Sequence, residues 1–147
     1  MAPETSTELS WSAAIAGAVL RRGAMVHAAS LVLTMAALLT SVAMAFVTAK
    51  PGAAWLSVGI AVVLLGAVEF WLAGRVALDA ELFDTIAAKG ADLEGFDRAM
   101  LALGLMPAHR ANRALGLRIR GALRLIKLQA LALAAQVAVL LAGALWA

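Results

Sequence analysis

Three long apolar blocks, separated by one short break and one extended polar region, set the frame of this chain. The first runs from about Met25 to Ala49, the second from Ala53 to Gly74 and the third from Leu128 to Ala147. At a rise of about 1.5 Å per residue, each can cross a hydrocarbon core about 30 Å thick, the first with some tilt. A backbone facing lipid must satisfy its own N–H and C=O groups, so three separated blocks of this length predict helices and exclude a strand barrel. Lys50-Pro51-Gly52 is predicted to form the turn between the first two, because Pro and Gly stop one helix before the next begins.

The flanking segments carry weaker periodicity. Thr5-Ser6-Thr7-Glu8 has capping-box spacing, and Trp11, Ile15 and Val19 then recur every four residues. A short helix with one apolar face is therefore expected before the first span, able to lie on a membrane surface with Arg21 and Arg22 among the headgroups. The alternative is a simple tail leading into the span. Beyond Gly74, Leu78, Leu82 and Ile86 extend the second span as an amphipathic helix ending near Lys89-Gly90. Asp92 can cap a short helix with the apolar face Leu93, Phe96, Met100 and Leu103, closed by Gly104. Pro107 suits the first turn of a further helix, predicted to run unbroken into the third span with Leu115, Ile119, Leu123 and Ile126 on its apolar side.

The expected fold is thus an all-α membrane protein: three transmembrane helices with a short amphipathic helical hairpin on the cytoplasmic side. Residues 1–24 form a cytoplasmic N-terminal segment and residues 25–147 a three-span domain, with spans at about 25–49, 53–74 and 128–147 and a cytoplasmic helical region over 75–127.

Composition agrees with this class. Hydrophobic residues make up 64% and the mean hydropathy is +0.94, well above the roughly 45–50% apolar content of soluble domains. A length of 147 residues leaves room for one domain and no separate catalytic module. The chain has no cysteine, which removes disulfides, thiolate catalysis and cysteine metal sites. Its pI near 10.2 does not imply nucleic acid, because the bases flank apolar spans and are not interleaved with aromatics.

Charge fixes the expected orientation. Of the 12 Lys and Arg residues only Lys50 falls outside the flanks assigned to the cytoplasm, so the N-terminus is expected inside and the C-terminus in the periplasm. Trp55, Trp71 and Trp146 stand at span ends, where aromatic belts form. Arg21-Arg22 before an apolar run, with Ala43-Met44-Ala45 near its end, also resembles a cleavable signal. The run exceeds a typical apolar region of about 7–15 residues, and Glu4 and Glu8 dilute the positive segment, so a retained span is expected. The Ala, Leu and Val usage suits a bacterial inner membrane.

Few residues suggest chemistry. Arg110, Arg113, Arg120, Arg124 and Lys127 recur at helical spacing as one basic stripe, while the acids of the region, Asp79 to Asp97, all precede them. The stripe can hold topology and pair with the acidic hairpin, bind anionic lipid, or dock an acidic partner. Glu69 is the one ionisable residue inside an apolar block, about 9 Å from Arg75 along the helix. It is expected to form an intramembrane ion pair with Arg124 or Lys127, the alternative being a proton or cation site. Gln129 and Gln136 read as interhelical hydrogen-bond glue, and Ala29, Ala36, Ala43, Gly59, Gly66 and Ala73 as small-residue ridges. His27 and His109 are distant in sequence and expected to be incidental; no catalytic, cofactor or metal motif is present. The expectation is a non-enzymatic accessory, assembly or regulatory subunit bound to a larger membrane protein. A homo-oligomeric small transporter or channel using Glu69 is the alternative.

Overall fold

The computed structural model describes residues 5–47 and 53–146, and these are helical throughout apart from short connections. In chain order the helices are α1 (Ser6–Arg21), α2 (Gly23–Val47), α3 (Ala53–Ala88), α4 (Leu93–Ala102) and α5 (Leu115–Trp146), with a 3-10 turn at Ala108–Arg110. Three stretches, Ser6–Met44, Trp55–Ala88 and Leu115–Leu145, are long and apolar enough to cross a membrane. The turn expected at Lys50-Pro51-Gly52 and the side chain of Trp146 lie outside the described residues.

The helix starts follow their caps. Thr5 accepts from the Glu8 N–H at 3.3 Å, and the Glu8 carboxylate accepts from the Thr5 N–H at 2.8 Å. The Thr5 N–H foremost, and the Thr5 hydroxyl donating to the same carboxylate at 3.0 Å, hold the Glu8 carboxyl below its ordinary value. Asp92 caps α4 by accepting from the Gly95 N–H at 2.8 Å. Gly104, at φ +67°, follows the last turn of α4 in the left-handed conformation that glycine adopts without strain. The connection between α4 and α5 departs from expectation. No helix starts at Pro107: the 3-10 turn follows it, Asn112 takes φ +59°, and α5 begins only at Leu115. A left-handed residue cannot continue an α-helix, so Arg110 and Arg113 are separated from the helical face of Arg120, Arg124 and Lys127.

The chain divides into two compact units. The first comprises the residues up to Arg22 with Val76–Leu125; the second comprises Gly23–Arg75 with the residues from Ile126 onward. Both divisions of the long helices fall within a few residues of the expected span ends.

In the first unit small side chains form the seam between α1 and α3. Ala13, Ala16, Gly17 and Leu20 of α1 are buried, as are Val76, Ala80, Phe83 and Ile86 of α3. A Cβ at Gly17 would displace the Asp84 carboxylate and crowd the Ala80 carbonyl at 3.3 Å, so glycine eases this approach. Asp84 in turn accepts from Arg21. The Trp11–Ile15–Val19 face points away from this seam, with Trp11 67% exposed. The expected Leu78–Leu82–Ile86 face of α3 is rotated: Ile86 is buried but Leu78 is 56% exposed. Leu103, just past the end of α4, is exposed, and Asp97 is the buried residue within α4. The packed side is thus selected by fit, joining Leu20, Phe83 and Ile86 to small side chains, while apolar residues of similar size such as Ile15 and Leu78 stay outside.

Candidate functional site

The second unit buries polar residues and exposes apolar ones. On α2, His27, Ser30, Thr34 and Ser41 are spaced by three, four and seven residues, which sets them along one helix face. Glu69, Gly66, Val62 and Gly59 do the same on α3, and Gln129 and Gln136 on α5. Ser30, Glu69, Gln129 and Gln136 are all buried, alongside the apolar Ala37, Val62, Leu72 and Ala132.

Two hydrogen-bonded layers result. In one, Glu69 receives the Gln129 amide N–H at Oε1 (2.8 Å), and His27 Nδ1 lies 2.9 Å from its Oε2. The same Gln129 amide nitrogen donates to the Gly23 carbonyl at 2.9 Å, while the Gln129 Oε1 is buried without a partner. The imidazole also packs beside Phe70, with centroids 5.7 Å apart. Burial differs sharply within the pair: the Glu69 side chain is 1% exposed and that of His27 25%. In the other layer, Ser30 donates to Gln136 Oε1 at 2.8 Å, and Gln136 Nε2 donates to Thr34 Oγ1 at 3.0 Å and to the Val62 carbonyl at 3.3 Å. Thr34 returns its own proton to the Ser30 carbonyl at 2.9 Å.

Glycine makes room for this chemistry. A Cβ on Gly66 would meet Thr34 Oγ1 and lie 3.1 Å from Gln136 Nε2; one on Gly59 would meet the Ser41 hydroxyl. Gly59 and Gly66 of the expected α3 ridge therefore face α2, whereas Ala29, Ala36 and Ala43 of α2 are exposed and Ala37 is buried in their place.

The residues singled out by the sequence fall into two groups. Glu69, Gln129 and Gln136 are brought into the core as interhelical bonds. The partners of Glu69 are His27 and Gln129, however, and not Arg124 or Lys127, which are both exposed. Arg110, Arg113 and Arg120 are exposed as well, and the Arg120 Nε donates to the Gly116 carbonyl at 3.3 Å. The base that does pair with the hairpin is Arg118, whose Nη2 donates to Asp97 at 2.8 Å while its guanidinium lies 5.8 Å from the Phe96 ring centroid. Asp97 also accepts the Asn112 N–H at 2.7 Å. The Arg118 bond holds the Asp97 carboxyl below its ordinary value, against the opposing effect of burial and with help from Asn112.

His27 and Arg118 were the residues the sequence undervalued. A signal for His27 existed in its three-residue spacing from Ser30 and seven-residue spacing from Thr34 within an apolar span. The chain matches no protein family, no curated protein and no solved structure. What the polar layers can do chemically follows from their atoms: they join three helices, and they include one carboxylate–imidazole pair across which a proton can be shared. Among the described residues no group of three or more His, Cys, Asp or Glu could hold a metal ion.

Proposed function

We propose that the chain is a multi-pass protein of a bacterial inner membrane, acting as a non-enzymatic accessory, assembly or regulatory subunit of a larger membrane complex. The observation that carries this reading is the inverted polarity of the second unit. Large apolar side chains such as Val32, Leu39, Leu64 and Leu131 face outward while Glu69 and two glutamines are buried. In water a continuous apolar exterior marks an interface; in lipid it is the solvent-facing surface, and interior polar bonds then guide helix association. Each interhelical bond of this kind contributes on average about 0.6 kcal/mol, so the layers favour a defined bundle geometry more than they add stability. Apart from the Gln129 Oε1, their groups are engaged with one another, which suits a scaffold better than an open substrate site.

Exposed Arg120, Arg124 and Lys127 on one face of α5 suit an acidic partner or anionic headgroups; among the described residues no acid pairs with Arg124 or Lys127. The reading is tested by isolating the chain from its native membrane in mild detergent. A larger membrane protein is expected in constant ratio, and Arg113, Arg120 and Arg124 changed together to Gln should weaken that association more at low salt than at high salt, because salt screens the lost attraction. A clean homo-oligomer with no partner would overturn the proposal.

Orientation is tested separately. Cysteines introduced at Pro51 and Asp92 are expected to differ in labelling by an impermeant thiol reagent on intact cells, with Pro51 modified and Asp92 protected. Equal labelling, or labelling at Asp92 alone, would reverse or abolish the assigned topology.

The second reading is a homo-oligomeric transporter or channel. It is favoured by one observation, the contact of Glu69 with a titratable partner. It requires a pH- or ion-driven flux into vesicles that Glu69→Gln abolishes while the bundle stays folded.

A further inference from the structure

We infer that the His27–Glu69 pair is a proton-binding site, exchanging its proton with water at the imidazole edge and closed to metal cations at the carboxylate. The inference rests on the second unit being a membrane bundle, and on neither reading of its wider function. Three observations support it.

First, among the described residues of the bundle one group stands where it can compensate a charge on Glu69. Among the described residues α2 carries no titratable group but His27. On α3 the nearest base is Arg75, which is exposed and stacked 5.4 Å from the Trp71 ring centroid. On α5 the only charged residue of this unit is Lys127, also exposed. Arg22, just before α2, is exposed, and Arg21 is engaged with Asp84. A buried carboxylate without a compensating charge is costly in an apolar medium, so imidazolium is the group that can balance it.

Second, both carboxylate oxygens face nitrogen. Gln129 presents an N–H to Oε1 at 2.8 Å, and His27 Nδ1 is 2.9 Å from Oε2. A metal cation needs several oxygens converging on it, and here the amide hydrogens occupy that approach. What this arrangement admits is a proton on the ring.

Third, the two members differ in access: Glu69 is enclosed, while His27 is partly open and stands five residues after Arg22, at the headgroup end of its span where water reaches. The exchange is then defined. With Nδ1–H directed at Glu69 Oε2, the Nε2 lone pair takes a proton from water, and the pair passes from net negative to net neutral. Release reverses the step, returning the proton to water and leaving neutral imidazole against carboxylate.

The test uses the full chain in phospholipid vesicles with nitrogen-labelled histidine, carrying His109→Gln so that one imidazole remains. His109 is exposed in the 3-10 turn and has no part in the pair. Ring-nitrogen resonances are followed from about pH 4 to about pH 10, bracketing ordinary carboxylate and imidazole values. His27 is expected to convert between neutral and imidazolium signatures in that range. Glu69→Gln should change the pH of conversion, and Glu69→Asp, which keeps the charge, should restore the conversion more nearly to its original position. Exchanging sodium for potassium or calcium around the chain with Glu69 intact should leave it unmoved. A His27 signature that never changes, a conversion indifferent to Glu69→Gln, or one displaced by the cation would each overturn the inference. None of these outcomes depends on whether a partner co-purifies.

Discussion

Asp97→Ala is expected to destabilise the first unit by about 3–5 kcal/mol, the usual cost of removing one member of a buried ion pair. Asp97 is buried and joins two segments through a single oxygen, accepting from Arg118 at 2.8 Å and from the Asn112 N–H at 2.7 Å. Its loss leaves a guanidinium whose side chain is only 14% exposed, and it releases the N–H that anchors Asn112 at positive φ. The left-handed residue is then held by nothing but the connection itself. Amide hydrogen exchange over residues 108–118 should accelerate before the rest of the unit responds.

The same pair sets a pH dependence whose sign is determined. The folded Asp97 carboxyl lies below its ordinary value, chiefly through Arg118. Its contribution is therefore complete above about pH 4 and drains away as pH falls through the lower folded value. Urea midpoints at neutral and acid pH measure this directly, and Asp97→Asn should remove the acid-side loss assigned to this group. An unfolding free energy for Asp97→Ala within about 1 kcal/mol of wild type, the effect of an exposed pair, would refute the account.

Gly66→Val is expected to cost about 1–3 kcal/mol in the second unit through overpacking, while Gly74→Ala on the same helix should be neutral or stabilise by up to about 1 kcal/mol. At Gly66 even a Cβ would meet the Thr34 hydroxyl and crowd Gln136 Nε2 at 3.1 Å, and both are already fixed by hydrogen bonds. Neither can swing aside without leaving a buried donor or acceptor unmatched. At Gly74 nothing lies within 4 Å, so the added methyl only restricts the unfolded chain and improves helix propensity. Thermal unfolding in detergent gives the comparison. Equal behaviour of the two substitutions would mean that α2 and α3 do not meet at Gly66.

The periodic pattern alone determined the all-helical class, the three long apolar helices, the caps at Thr5 and Asp92, and the stop at Gly104. These are local matters: helix length, capping chemistry and left-handed backbone preference are written within a few consecutive residues. It also identified Glu69, Gln129 and Gln136, since a polar residue inside an apolar block stands out wherever the block folds. Which groups they meet was settled by tertiary structure. His27 lies 42 residues from Glu69, and Glu69 lies 60 from Gln129. Similar depth in the membrane favoured bases at the span ends, whereas helix rotation brought an imidazole and an amide to the carboxylate. Rotation also determined that Ala37 and not Ala36 is buried, and that Ile86 packs while Leu78 stays exposed. One residue shifts a helix face by about 100°, so two faces of similar hydrophobicity are told apart only by the partner that fits. The basic stripe was legible as a spacing, but Asn112 at φ +59° and the Asp97 bond ended the preceding turn and divided it. That break depends on a contact between segments 15 residues apart, which no local period encodes.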